Sequence, residues 1–352
     1  MPRKIQDSVV VITGASSGIG RATALAFAKE GASVVVAARR EQLLQELARE
    51  CEQLGGRALA VRTDMTDAGA VQQLANRALE NFGRIDVWVN NQGVTLFAQF
   101  EDAPLEDYRR VIETDLLGTI YGARAALPVF REQGSGVLIN QGSMVSKLSE
   151  PYVSSYVVAK HGIRGLGMSL RQELALSGDG TKHIHVCTVM PATIDTPFFQ
   201  HAANYTGRAV KAMPPVYPAE RVAKTIVSLV KRPRREVFVG NAARMLWMQY
   251  LLAPWLTERQ MAIMTDKLHL YQDKPAQPTS GNLFEPVAEG TGISGGWKTA
   301  SGRQQEEGGS VIPRIAVGVA TALPILLLVR WLLQNRRAQI GFLAKVAARV
   351  MG

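Results

Sequence analysis

Apolar runs and helical patterns alternate along the first 240 residues of the chain. Val, Ile and Ala dominate Val9–Thr13, Ser33–Ala38, Ala58–Arg62, Ile85–Val89, Val137–Asn140, Ile184–Val189 and Glu236–Val239. Such runs, nearly continuous rather than alternating with polar residues, predict strands buried on both faces of a parallel sheet. Helical stretches separate them. One is Arg21–Glu30, which closes on Gly31, a suitable helix stop. The repeated strand–helix order predicts an α/β fold: a doubly wound parallel sheet of about seven strands, helices on both faces, and a ligand site at the carboxyl ends of the strands.

The pattern changes after residue 243. Residues 244–272 form a Met/Trp-rich helical stretch interrupted by Pro254. It could line a substrate entrance, pair with a second copy of the chain in a homo-oligomer, or lie on lipid. Residues 273–310 are dense in Gly, Ser and Pro and lack periodicity, which predicts a flexible linker. Residues 311–352 carry the apolar run Ile315–Leu333 and a basic tail. Nineteen residues give a helix of roughly 28 Å, close to the ~30 Å hydrocarbon core of a membrane. Arg330 stands near one end, where it could snorkel, and Trp331 suits an interface. Positive charge favours the cytoplasmic side for the tail, and the folded part is expected to be cytoplasmic too, so one span cannot satisfy both. A transmembrane helix and an interfacial helix on anionic lipid therefore both stay open.

Composition narrows the choice further. The 352 residues are 47% hydrophobic and 20% charged, ordinary values for a folded protein. Half of the net charge of +10 comes from Arg330, Arg336, Arg337, Lys345 and Arg349. With no zinc-finger spacing and no basic-aromatic interleaving, nucleic acid is not an expected partner. Two cysteines, Cys51 and Cys187, imply no disulfide framework, and no secretory signal precedes the first strand. His183 and His185 could share one strand face, but no further ligands accompany them. These two, with His161, His201 and His269, read as structural or surface residues, and no metal site is expected.

The sharpest local signal is "TGASSGIG" between the first strand and the first helix, with Gly14, Gly18 and Gly20. Glycines let backbone approach a pyrophosphate, and the helix start supplies free N–H groups and a positive dipole end. Further pieces follow in order: "NNQG" at 90–93, Ser143, "YVVAK" at 156–160 and "PATIDT" at 191–196. With these motifs, residues 7–240 resemble the short-chain dehydrogenase/reductase family. The resemblance implies a Rossmann-like catalytic domain over residues 1–243. It also implies cofactor contacts from Ile19 and Pro191, Asp64 against an adenine, Asn91 near its ribose, and Ile194 and Thr196 at a carboxamide.

The second strand bears on which dinucleotide binds. An Asp or Glu at its end would favour NAD(H) by bonding the ribose 2′-hydroxyl. The chain instead has Ala38, Arg39 and Arg40, whose guanidinium groups suit a 2′-phosphate, with Ser16 and Ser17 able to add hydroxyls. NADP(H) is thus expected over NAD(H).

Tyr156 and Lys160 stand four apart, on one helix face. A phenol titrates near ~10 and needs a nearby cation to exchange protons at neutral pH. Lys160 can supply that charge and, as in the family, grip the nicotinamide ribose. Ser143 can hold the substrate oxygen. Tyr156 then acts as general acid in reduction and general base in oxidation. Three residues depart from the family pattern: Asp115 where Asn is usual, Gln92 for a small alanine, and Ala192 for glycine. The leading expectation is an NADP(H)-dependent enzyme interconverting a small, apolar alcohol and its carbonyl. The alternative is a membrane-attached NADP(H)-binding protein with weak or lost catalysis, acting through a partner.

Overall fold

A computed structural model describes residues 5–297 of the chain. Seven strands form one parallel sheet: β1 (Val9–Thr13), β2 (Ser33–Ala38), β3 (Arg57–Arg62), β4 (Val87–Asn90), β5 (Ser135–Gln141), β6 (His183–Pro191) and β7 (Glu236–Val239). Their order across the sheet is β7-β6-β5-β4-β1-β2-β3. The chain reverses direction of travel between β1 and β4, and at such a switch point the strand ends leave a crevice for a ligand. Every residue of β1 and β2 is buried, as their unbroken apolar sequence requires.

Helices cover both faces. On one, α1 (Gly18–Ala28), α2 (Glu41–Gln53) and α7 (Ala219–Lys231) close a core around Val10, Ile12, Phe27, Val34, Leu44 and Ile226. On the other, α3 (Ala68–Phe82), α5 (Gly118–Gln133) and α6 (Ser154–Leu176) pack over Val11, Val35, Leu74, Trp88 and Leu138. The observed fold is therefore the expected α/β doubly wound sheet.

Several element bounds differ from the sequence reading, and two of the differences have a local reason. The fourth strand begins at Val87 rather than Ile85, because the Gln133 side chain takes both backbone groups of Ile85. Its Oε1 accepts from Ile85 N at 3.0 Å and its Nε2 donates to Ile85 O at 2.7 Å. The first helix starts at Gly18, directly on the glycine loop, and ends at Ala28, before Gly31 turns the chain with φ +80°.

The Met/Trp-rich stretch forms two helices, α8 (Asn241–Leu252) and α9 (Pro254–Met264), broken where Pro254 cannot continue the first. Leu246 and Met261 pack with Met144, Val145, Leu148 and Met213, beside Tyr156. The buried side of α8–α9 thus packs behind Met144, Val145 and Met213, which line the cleft. Met245, Met248, Leu251, Trp255 and Ile263 remain exposed. Beyond α9 the strand Leu270–Pro275 pairs antiparallel with Arg208–Val210. Among the described residues no helix is long and apolar enough to cross a membrane, and the apolar segment 315–333 lies outside them.

Candidate active site

One cleft runs along the carboxyl ends of the strands. Ser16, Ser17, Arg39, Arg40 and Asp64 line one end, and Ser143, Tyr156, Phe198, Phe199, Met213 and His269 line the other. Ile19, Asn91, Lys160, Pro191, Ile194 and Thr196 lie between.

The glycine loop is shaped by backbone crowding. Gly14 and Gly18 have φ of +61° and +55°, where a side chain is strained. Gly20 is constrained differently: a Cβ there would press into Gly14 O and lie 2.6 Å from Asn91 Nδ2. Asn91 donates from that amide to Thr13 O at 3.0 Å and Gly14 O at 3.2 Å, so it fixes the loop as well as lining the cleft. This cradle, at the N-terminus of α1, has the bare backbone a pyrophosphate needs, and of its donors Gly18 N is taken by Gly292 O at 3.0 Å. Beside it, Arg40 donates to Ser16 Oγ at 3.0 Å and Ser17 Oγ at 3.0 Å. A guanidinium and two hydroxyls thereby form one cluster with the chemistry to hold a second phosphate. Asp64 accepts from Thr66 N and Oγ1 at 2.9 and 2.8 Å. Burial pushes its pKa up, but these bonds and the nearby Arg110 and Arg39 hold it below the usual carboxylate value.

At the far end Ser143, Tyr156, Lys160 and Asp115 converge. The helix that begins as α4 (Leu105–Ile112) passes into α5 through a π-turn at Glu113–Leu117, and this widened turn buries Asp115 completely. Its carboxylate lies 2.9 Å from Lys160 Nζ through Oδ2 and accepts from Val94 N at 2.8 Å through Oδ1. Lys160, only 2% exposed, also donates to Gln141 O at 3.2 Å, and its ammonium is 5.1 Å from the Tyr156 ring centre. Ser143 caps a short turn after β5, accepting from Val145 N at 3.3 Å.

The charges of this group act on one another. Burial raises the Asp115 pKa, against the pull of Lys160. Burial alone would lower Lys160, but the Asp115 carboxylate and the Tyr156 phenol together more than offset it, and the ammonium is held above its ordinary value. Burial raises the Tyr156 phenol. Lys160 and the Ser143 hydroxyl oppose that rise, whereas Asp115 and, more weakly, Glu150 add to it. Asp115 therefore draws part of the lysine's field away from the tyrosine.

Gln92 is built into the same region. Thr13 Oγ1 donates to its Oε1 at 2.6 Å, and its Nε2 donates to Thr119 Oγ1 at 3.2 Å. Space for the longer side chain comes from Gly118, where a Cβ would sit 3.1 Å from Gln92 Nε2. Ala192 keeps its backbone bond to Val239 O at 2.9 Å.

Three features had no clear signal in the sequence. The first is a Glu150–His269 pair in the cleft wall, Oε1 to Nε2 3.3 Å, with His269 Nδ1 on Lys211 O at 2.7 Å. Residue 269, read as structural or surface, is buried, and its ring centre lies 5.1 Å from that of Phe199 with the planes tilted by 52°. The second is His201, also buried, whose ring bonds Glu289 O at 2.8 Å. Burial lowers its pKa, so the neutral ring donates there. The third is the stretch after residue 276. Its composition suggests a flexible linker, yet its described part, to residue 297, is bonded along the cleft by Arg39, Arg40, Arg110, Gly18 and Asp195. The remainder of the expected linker lies outside the described residues. Among the described residues no three His, Cys, Asp or Glu side chains are gathered to hold a metal ion.

Comparison with known proteins agrees with this geometry. The sequence profile of the family described as short chain dehydrogenase matches residues 8–205. YxnA of Bacillus subtilis, named as an uncharacterized oxidoreductase, is 36% identical over 303 residues, covering 84% of this chain and 83% of YxnA. An alcohol dehydrogenase from the archaeon Thermococcus sibiricus, solved with 5-hydroxy-NADP, superposes with a TM-score of 0.58. It is 28% identical, over 66% of this chain and 95% of that one. A short chain dehydrogenase/reductase from Burkholderia phymatum, solved with NAD, gives a TM-score of 0.64 at 25% identity, over 71% and 96% of the two chains.

Proposed function

The chain belongs to the short-chain dehydrogenase family, and from that premise we propose that it is an NADP(H)-dependent oxidoreductase interconverting an alcohol and a carbonyl. The observation that carries the proposal is the convergence of Ser143, Tyr156 and Lys160 in the cleft that also holds the glycine cradle. That relatives are solved with both an NADP derivative and NAD leaves the choice of dinucleotide to the residues of this chain. Arg40 on Ser16 and Ser17 supports NADP(H), because no carboxylate stands at that strand end to accept a ribose hydroxyl.

When bound, the nicotinamide donates or accepts the hydride. Everything else falls to the chain. Gly14, Ser16, Ser17, Gly18, Ile19 and Gly20 cradle the dinucleotide, with Asp64 and Asn91 at its adenosine part and Pro191, Ile194 and Thr196 at the nicotinamide. Ser143 donates to the substrate oxygen. Tyr156 gives that oxygen a proton in reduction and takes it back in oxidation. Lys160 keeps the phenolate accessible and holds a ribose hydroxyl, and Asp115 keeps Lys160 charged and in place. Phe198, Phe199, Met144 and Met213 offer the substrate an apolar seat. The apolar run 315–333 with its basic tail supports attachment to membrane lipid, as a span or as an interfacial helix.

The test is to incubate the full chain with NADPH and a panel of ketones and aldehydes. Turnover is expected, and Tyr156→Phe should reduce it to background while NADPH still binds. Turnover that survives this substitution would sink the mechanism. Tight NADPH binding with no turnover on a broad panel would favour a second reading, a cofactor-binding protein that has lost catalysis. The Asp115 carboxylate, which opposes Lys160 at Tyr156, is the observation on that side.

A further inference from the structure

The two arginines at the end of β2 have different partners, and this divides their work. Arg39 spends its fork on backbone. Nη1 donates to Phe284 O at 2.7 Å and Leu283 O at 3.2 Å, and Nη2 to Asn282 O at 2.6 Å. Arg110, from α4, reaches the same Leu283 O from its own side at 3.1 Å and lies over the Phe284 ring. Between these cations the Leu283 side chain is fully buried with Val94, Leu96, Val111 and Ala203. Arg40 keeps one bond to this segment, at Val287 O, and turns the rest of its guanidinium to Ser16 and Ser17.

The segment then follows the cleft to its other end. Glu289 O accepts from His201, Gly292 O accepts from Gly18 N at 3.0 Å, and Asp195 receives Ser294 Oγ, Gly295 N and Trp297 N at 2.6, 3.1 and 2.9 Å. Asn282, Pro286 and Val287 line the cleft directly.

We propose that residues 279–297 are a strap forming the outer wall of the dinucleotide site, that Arg39 is its anchor, and that Arg40 with Ser16 and Ser17 alone discriminates the 2′-phosphate. Charge-assisted bonds to three carbonyls and a buried leucine hold the strap at the adenosine end. Arg39 then acts on cofactor affinity through the strap, for either dinucleotide, and is a positioning residue. The proposal rests on the NADP(H) reading for the role of Arg40 but not for that of Arg39.

The experiment titrates NADPH and NADH separately into the full chain by fluorescence. In parallel, a glutamate-specific protease probes cleavage after Glu285 and Glu289. Arg39→Ala should weaken both cofactors alike, by about tenfold, and open both sites to cleavage. Leu283→Ala, which leaves both arginines intact, should do the same. Arg40→Ala should weaken NADPH by about tenfold or more, leave NADH nearly unchanged and keep the strap protected. Arg39→Met preserves the side-chain stem and replaces the alanine variant if that one does not fold. A selective loss of NADPH in Arg39→Ala, with the strap still protected, would overturn the proposal by making Arg39 a phosphate ligand. Unchanged affinities with an opened strap would overturn it too. If the unaltered protein binds NADH as tightly as NADPH, the cofactor reading fails, and the Arg39 and Leu283 arms still decide the strap.

Discussion

Lys160 Nζ lies 2.9 Å from Asp115 Oδ2, both side chains being almost wholly out of water, and the same ammonium is 5.1 Å from the Tyr156 ring centre. One cation thus serves two groups that compete for it. Asp115 holds the Lys160 pKa up and raises that of Tyr156. In Asp115→Asn both groups titrate at lower pH. The phenolate needed for alcohol oxidation forms earlier, and the ammonium that supports it is lost earlier. The bell-shaped profile of kcat/KM for oxidation is therefore expected to move as a whole toward acid, and an unmoved profile would separate Asp115 from the tyrosine. The variant should also lose roughly 3 kcal/mol of stability, because a buried ammonium is left without its counter-ion.

Gly20 tests the cradle. An alanine Cβ would collide with Gly14 O and crowd Asn91 Nδ2, so either the loop or the start of α1 must shift. Gly20→Ala should weaken NADPH and NADH together by about tenfold or more, since the pyrophosphate is common to both. Calorimetric titration checks this, and a selective loss of one cofactor would contradict it.

The Glu150–His269 pair sits in the wall of the cleft near Tyr156 and away from the glycine loop. His269→Leu is expected to change KM for any carbonyl substrate by about fivefold or more, while the NADPH dissociation constant stays within about twofold. Steady-state kinetics at saturating NADPH, paired with a binding titration, reads both. A change in cofactor affinity alone would assign the pair to the wrong end.

Stability should carry a pH signature at the start of β7. Glu236 lies 2.7 Å from Lys147 and 2.9 Å from Arg164, with Arg171 at 3.8 Å. Burial alone would raise its pKa, but the Lys147 bond and the three cations hold it below the usual carboxylate value. A depressed folded pKa contributes stability that is present above the unfolded value, about 4.3, and is lost as pH falls through the folded one. Glu236→Gln should cost roughly 2 kcal/mol at neutral pH. Its gap in Tm to the unaltered protein should persist down to about pH 4.5 and close below that. A gap independent of pH would mean that the ion cluster is not its source.

Removing residues 311–352 should release the protein from a membrane fraction and from anionic vesicles. Continued sedimentation would shift the contact to the exposed face of α8–α9, where Met248, Trp255 and Ile263 stand.

The bounds of β1 and β2 follow from the sequence because an unbroken apolar run has few places to go except a buried parallel sheet. Gly14, Gly18, Tyr156 and Lys160 are legible for a related reason: they stand at short, fixed spacings that local structure converts directly into geometry. Ile85 shows where this ends, since a side chain from α5 removes it from the sheet.

Pairings between distant segments were decided by tertiary structure alone. Nothing near Glu150 announces His269, and nothing in Asp115 itself says that a π-turn will bury it against Lys160. Composition alone predicts a flexible segment from 273 onward, because Gly, Ser and Pro carry no periodicity. What the segment offers Arg39, Arg110 and Gly18 are backbone carbonyls, which every residue possesses and no sequence pattern marks. The sequence by itself determined the sheet, the glycine loop and the Tyr156–Lys160 spacing; only the folded chain decided which carbonyls those donors would meet.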